Sequence, residues 1–148
     1  MEIRTLLIRY DEIGLKGKNR RHFENQLVQN IRYALRDFQG IKIDKIHGRI
    51  LGHVNLDCAK KCVTLLTFVP GIASISIGRS IEPDFDKIAE LGISLIKDKF
   101  QVSDALKFCV RTRRSNKSFP FRSKEFDFEV GSRIMEALAS KGLTVNIN

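Results

Sequence analysis

The 148-residue sequence has only three cysteines, an odd number with no framework spacing, which argues against a disulfide scaffold and for a reducing, cytoplasmic setting. It has no long hydrophobic run. The longest uncharged stretch, Cys62 to Gly78, contains Pro70-Gly71 and is too short to span a bilayer. Met1-Glu2-Ile3-Arg4 opens directly into strand-like sequence, with no signal peptide, so a soluble protein is expected. Internal repeats and low-complexity stretches are absent. Charged residues make up 29% and apolar ones 43%, which excludes a disordered tail and supplies enough material for a core.

One further absence is local. Residues 13–23 hold Lys16, Lys18, Arg20 and Arg21 without an acid, and residues 105–124 hold Lys107, Arg111, Arg113, Arg114, Lys117, Arg122 and Lys124, again without one. These two segments carry 11 of the 26 basic residues, and the rest of the chain has 15 basic against 17 acidic residues. The whole net charge of +9 therefore comes from two short stretches, as expected of a polyanion-binding surface rather than a uniform solubility coat.

Residues Thr5 to Tyr10 are β-rich and predict a buried strand, followed by a loop from Glu12 to Lys18. A helix is expected from about Asn19 to Phe38, with Phe23, Leu27, Ile31, Ala34, Leu35 and Phe38 in one apolar stripe and Gly40 just past its end. Residues 41–46 and 49–54 alternate as two strands across a tight turn at His47-Gly48. Asp57 caps a second helix running to about Phe68, and Ile72 to Ile81 form another strand. The order β-α-β-β-α-β is the ferredoxin-like pattern, in which two helices cover one face of a four-stranded antiparallel sheet.

A second unit follows from residue 82. Its first helix spans about Asp84 to Phe100, with Phe85, Ile88, Ala89, Leu95 and Ile96 on one face. Leu106, Phe108 and Val110 then alternate with Lys107, Cys109 and Arg111, giving a strand with an apolar and a basic face. A loop from Thr112 to Arg122 leads into a helix to about Ser140 with Val130, Ile134, Ala137 and Leu138 inward, and Leu143, Val145 and Ile147 begin a last strand. The fold class is α+β, divided as 1–81 and 82–148. Two strands are few for an independent sheet, so the second unit reads as incomplete and the chain as the N-terminal part of something longer.

Catalytic chemistry is not indicated. Gly14 and Gly17 are two residues apart and Lys18 precedes Asn19, whereas a phosphate-binding P-loop needs four residues between its glycines and then Lys-Ser/Thr. What remains is a helix N-terminus flanked by Lys16, Lys18 and Arg20, which favours a phosphate; the plainer alternative is a solvated loop with Asn19 as the cap. Cys58 and Cys62 share a helix face as small apolar fillers, and neither the cysteines nor His22, His47 and His53 have metal-ligand spacing. Glu125, Asp127 and Glu129 lie where acids complement a helix dipole.

The cations of 107–124 are interleaved with Phe119 and Phe121 and with neutral donors, a mixture suited to RNA phosphates and unpaired bases. The two rings have two readings, base stacking or anchorage of the loop to the core, and the second is preferred because loop aromatics usually pack. The candidate RNA-binding residues are thus Lys16, Lys18, Arg20, Arg21, Arg111, Arg113, Arg114, Lys117, Arg122 and Lys124.

These residues also carry a family resemblance. Leu7-Ile8-Arg9-Tyr10 through Glu12 and Lys16-Gly17-Lys18-Asn19-Arg20 to Phe23 resembles the start of tRNA 4-thiouridine synthases, also called tRNA sulfurtransferases. Phe68-Val69-Pro70-Gly71-Ile72 is similar to the passage from that family's ferredoxin-like domain into its THUMP domain. Phe108 to Arg114, Lys117-Ser118-Phe119-Pro120 and Val130-Gly131 are similar to the THUMP core. The resemblance implies that both domains grip tRNA at the acceptor end. It further implies a PP-loop domain that adenylates a uridine with ATP and Mg²⁺, a persulfide donor such as a cysteine desulfurase, and a link to thiamine thiazole synthesis.

This sequence contains no Ser-Gly-Gly-x-Asp-Ser signature, so no catalytic residue and no cofactor is assigned within it. Assembly as a homodimer is left open, and no membrane partner is expected. Two other readings are an RNA methyltransferase or pseudouridine synthase with a THUMP unit, and a non-enzymatic, ribosome-associated RNA binder. The ferredoxin-like lead with its Lys-Gly-Lys-Asn-Arg argues against the first of these.

Overall fold

A computed structural model describes residues 2–11, 17–99, 106–139 and 145–147. In chain order the elements are β1 (Ile3–Tyr10), α1 (Lys18–Ala34), β2 (Lys42–Ile46), β3 (Arg49–Asn55), α2 (Leu56–Leu66), β4 (Ile72–Gly78), α3 (Phe85–Lys99), β5 (Leu106–Phe108), α4 (Ser123–Ala139) and β6 (Val145–Ile147). They fall into two compact units, Met1–Ser80 and Ile81–Asn148. The loop expected over Glu12 to Lys18 lies outside the described residues as far as position 16, as do Ser140 and Leu143.

The first unit is a ferredoxin-like β-α-β-β-α-β fold with an antiparallel sheet in the order β2-β3-β1-β4. Alternation along β1 and β3 sends Leu6, Ile8, Tyr10, Ile50 and Val54 to the face that receives Leu27, Val28 and Ile31 of α1 and Ala59, Cys62 and Leu66 of α2. Each large aliphatic side chain buried there contributes about 1.5–3 kcal/mol through lost apolar surface. The β2–β3 hairpin closes through His47-Gly48, with Ile46 opposite Arg49.

Several boundaries differ from expectation. α1 ends at Ala34 rather than Phe38, because tighter turns replace the helical ladder: Arg36 N–H donates to Tyr33 O at 3.3 Å and Phe38 N–H to Leu35 O at 3.1 Å. These turns still deliver Leu35 and Phe38 to the core. Asp57 does not cap α2; Asn55 does so by position, Leu56 N–H is anchored on Glu2 O at 2.9 Å, and Asp57 joins the first turn. β4 stops at Gly78, the last residue with a partner on β1, and Ser80 instead makes a side-chain bond to Thr5 at 2.7 Å.

In the second unit α3 and α4 pack on one another around Ala89, Phe126, Val130, Ile134 and Leu138. Gly92 makes their close approach possible: a Cβ there would lie 2.8 Å from Ile134 Cδ1. The packed face of α3 is Phe85, Ile88, Ala89, Ile93 and Ile96, while Leu95, expected inward, is 41% exposed. Asp84 accepts the Lys87 N–H at 2.9 Å and caps this helix. Among the described residues β5 pairs in parallel with β6 over Leu106–Phe108, within the strand expected over 106–111. Exposure nevertheless continues to alternate to Arg113, because Phe108, Val110 and Thr112 face inward while Lys107, Cys109, Arg111 and Arg113 face solvent.

Candidate nucleic-acid interface

The loop of residues 109–122 is held from three sides. Beneath it, the Phe119 ring lies 5.9 Å from Phe126 and 6.0 Å from Phe121, and Phe121 meets Phe85 edge-on at 4.8 Å. Both rings predicted from sequence are therefore engaged in one aromatic cluster, Phe119 partly buried and Phe121 with 40% of its surface exposed. Inside the loop, Arg114 Nη1 donates to the carbonyls of Phe119 and Phe121, both at 3.3 Å, and Asn116 Oδ1 accepts from Ser118 N–H at 3.0 Å and Ser118 Oγ at 2.7 Å.

The third restraint comes from the acids of α4. Asp127 Oδ1 accepts the Thr112 N–H, and Glu125 Oε2 accepts the Arg122 N–H at 2.9 Å, half of a capping box. Glu129 pairs with Arg133, itself bound to Asp86. The nearby carboxylates are thus engaged by backbone N–H groups or by Arg133. Among the described residues, Arg111, Arg113, Lys117, Arg122 and Lys124 have no carboxylate partner, and all are exposed. Arg114 differs from them, since its guanidinium braces the loop.

In the first unit the basic residues open α1. Gly17 (φ 64°) precedes the helix, no side chain caps it, and its first turn has no acid, so the dipole and the free N–H groups reinforce Lys18 and Arg21, both exposed. Asn19 does not act as the cap. Lys16 lies outside the described residues. Arg20 is drawn back: its Nε donates to Glu24 Oε1 at 2.9 Å, the oxygen that also accepts Tyr10 Oη–H at 2.8 Å, while Lys45 Nζ from β2 meets Glu24 Oε2 at 3.2 Å.

Glu24 and Lys45 were not among the sequence candidates. A signal existed: Glu24 follows Phe23 and precedes Leu27 by three, placing a carboxylate on the core-facing stripe. Burial alone would raise its pKa, but hydrogen bonds from Tyr10, Arg20 and Lys45 reverse this and hold it below 4.5. Burial and the adjacent carboxylate push the Tyr10 phenol up to about 12. Burial likewise pushes the Cys62 thiol up to about 12, with Cys58 adding to it, as befits a core filler.

These shifts predict the pH dependence of stability. Glu24 is depressed, so its contribution is present above pH 4.5 and is lost as pH falls through its lowered pKa. Tyr10 is raised, so its contribution is complete below pH 10 and is lost as pH rises through about 12. Urea unfolding followed by circular dichroism should show a plateau between about pH 4.5 and 9, above which the raised Cys62 thiol and then Tyr10 bring stability down. Tyr10→Phe should flatten the alkaline fall in part, Cys62 retaining the rest; an unchanged alkaline arm would contradict the assignment.

Residues 5–76 match the ThiI ferredoxin-like domain and residues 82–148 the THUMP domain. A protein of Caldanaerobacter subterraneus named probable tRNA sulfurtransferase is 38% identical over 144 residues, covering 97% of this chain and 36% of the relative. One of Halothermothrix orenii with the same name is 36% identical over 148 residues, covering 98% and 37%. The chain thus spans a little over a third of the length of these relatives. Among solved structures, a protein of Pyrococcus horikoshii superposes with a TM-score of 0.79 at 32% identity, over 98% of this chain and 47% of its own. A 4-thiouridine synthetase–RNA complex with bound ATP gives a TM-score of 0.73 at 28% identity, over 99% and 36%.

Proposed function

The chain belongs to the tRNA sulfurtransferase family through its ThiI ferredoxin-like and THUMP domains, and on that premise we propose that it grips tRNA at the acceptor end. The observation that carries this reading is the row of exposed cations from Arg111 to Lys124, which among the described residues have no carboxylate partners, on a loop braced by aromatic rings and by Arg114. Such a surface is preorganised for phosphates, and it gains affinity by releasing condensed counterions rather than by reading bases. Lys18 and Arg21 supply a second contact at the start of α1. Positions 1–81 and 82–148 act as the two domains of this grip.

No site for ATP or Mg²⁺ is assigned among the described residues. The Gly14/Gly17 spacing fails the phosphate-loop pattern, and among the described residues no cluster of His, Cys, Asp or Glu could hold a metal ion. Adenylation, sulfur delivery from a persulfide donor such as a cysteine desulfurase, a homodimeric assembly and the thiamine link are proposals for a full-length protein of the family. A cytoplasmic location belongs with them; no helix among the described residues is long and apolar enough to cross a membrane. The match over residues 5–76 favours a sulfurtransferase over a THUMP methyltransferase, a pseudouridine synthase or a ribosome-associated binder.

The test is a salt titration of tRNA binding by fluorescence anisotropy. Neutralising roughly 5 to 8 phosphates gives a slope of log K against log salt of roughly −4 to −7. A tRNA trimmed of its acceptor end should bind more weakly. A flat titration would remove the electrostatic basis of the proposal.

A further inference from the structure

Glu24 is a buried carboxylate with no part in the grip just described, and it collects side chains from three elements. Arg20 of α1 lies on Oε1 at 2.9 Å, Lys45 of β2 on Oε2 at 3.2 Å, and Tyr10 of β1 donates to Oε1 from the core side. Arg20 and Lys45 are 25 residues apart in sequence, yet they share the two oxygens of one carboxylate. Exposure is graded: 11% for the Glu24 side chain, 35% for Lys45 and 41% for Arg20. The anion is inside, and the two cations lie outside it toward solvent.

A structural role alone is a poor account of this arrangement. Buried ion pairs contribute little net stability, because desolvation offsets the attraction, and apolar replacements are often neutral or better. The neighbouring core positions of α1 are apolar, namely Leu27, Val28 and Ile31. What the carboxylate supplies that an apolar residue could not is orientation of a guanidinium and an ammonium side by side. Asn25 Oδ1, 3.3 Å from Lys45 Nζ, adds to that restraint.

We propose that Glu24 is a positioning residue that holds Arg20 and Lys45 together as a pair for one backbone phosphate of RNA. The inference rests on the tRNA-binding reading and deepens it: it brings in Lys45, and it makes Arg20 act with Lys45 rather than with Arg21. The two cations meet the phosphate; Glu24 does not touch it.

The sign of one substitution separates positioning from charge. Glu24→Gln raises the net charge by one, so simple electrostatics demands tighter tRNA binding. Positioning demands weaker binding, by roughly fivefold at 0.1 M salt, with a salt slope shallower by about one. Lys45→Ala and Arg20→Ala should each weaken binding to a similar degree, and the double variant should lose little more than either single one, because both serve one phosphate. Glu24→Gln placed in the Arg20→Ala/Lys45→Ala background should then have no further effect.

Binding by Glu24→Gln equal to or tighter than that of the parent would overturn the proposal. So would strictly additive losses for Arg20→Ala and Lys45→Ala, a measurement that serves even where Glu24→Gln does not fold by circular dichroism. An unaffected Lys45→Ala variant would remove Lys45 from the site. The parent protein and variants of the 111–124 loop run in the same assay: if the parent binds tRNA without salt dependence, it is the tRNA-binding reading that fails, and not the role of Glu24 within it.

Discussion

Replacing Arg111, Arg113, Lys117 and Arg122 together by alanine should weaken tRNA binding roughly a hundredfold at physiological salt and make the salt slope shallower by about four. These four side chains are exposed and have no carboxylate partner among the described residues, so their removal frees no buried charge and leaves the fold intact. The loss should be nearly uniform across tRNA sequences, since phosphate contacts carry no base information. Arg114 is kept out of this set because its bonds to the carbonyls of Phe119 and Phe121 would add a loop rearrangement to the loss of charge. Alanine at Lys18 and Arg21 should cost less, and the two losses should sum if the sites are independent. Affinity unchanged by the fourfold replacement would place the RNA on another surface.

Ile50→Ala should cost the first unit about 3 to 4 kcal/mol. Ile50 is fully buried on β3, an inner strand, directly opposite Ile8 of β1 and facing the helices. Truncation removes apolar burial and leaves a cavity that the sheet cannot close without losing register. Domains of this size have roughly 5–15 kcal/mol in all, so the loss is a large share. It should lower the melting temperature of this unit by about 12–32 °C. The second unit has its own core around Ala89, Phe126, Val130, Ile134 and Leu138, so its transition should stay in place and the two should separate in calorimetry. A single transition shifted as a whole would show that the units do not unfold separately.

The pattern of elements was legible in the sequence because it rests on local periodicity. Alternation at Leu6, Ile8 and Tyr10 and three-four spacing at Leu27, Ile31 and Leu35 are one-dimensional signals, and they specify which face of each element becomes apolar. The failures were at ends and edges. Helix α1 stops at Ala34 although apolar spacing continues to Phe38, since tight turns can present the same side chains. The β5 ladder is described over Leu106–Phe108, whereas alternation of exposure runs to Arg113, because alternation needs only an interior. Leu95, marked as inward by its hydrophobicity, is 41% exposed on α3.

The sequence by itself determined where the charge is concentrated, since the absence of acids from 13–23 and 105–124 is a matter of counting, and it also carried the motifs that match the family. It could not decide what each cation does. Arg114 and Arg113 are adjacent and chemically identical, yet one braces two carbonyls and the other is exposed to solvent. Arg20 and Arg21 divide in the same way, one held by Glu24 and the other exposed. Only the tertiary structure brings Lys45 to Glu24 across 21 residues and sets Phe85 against Phe121. The physical reason is that charge and periodicity are properties of the chain, whereas a hydrogen bond or a ring contact at 5 Å depends on where the fold returns.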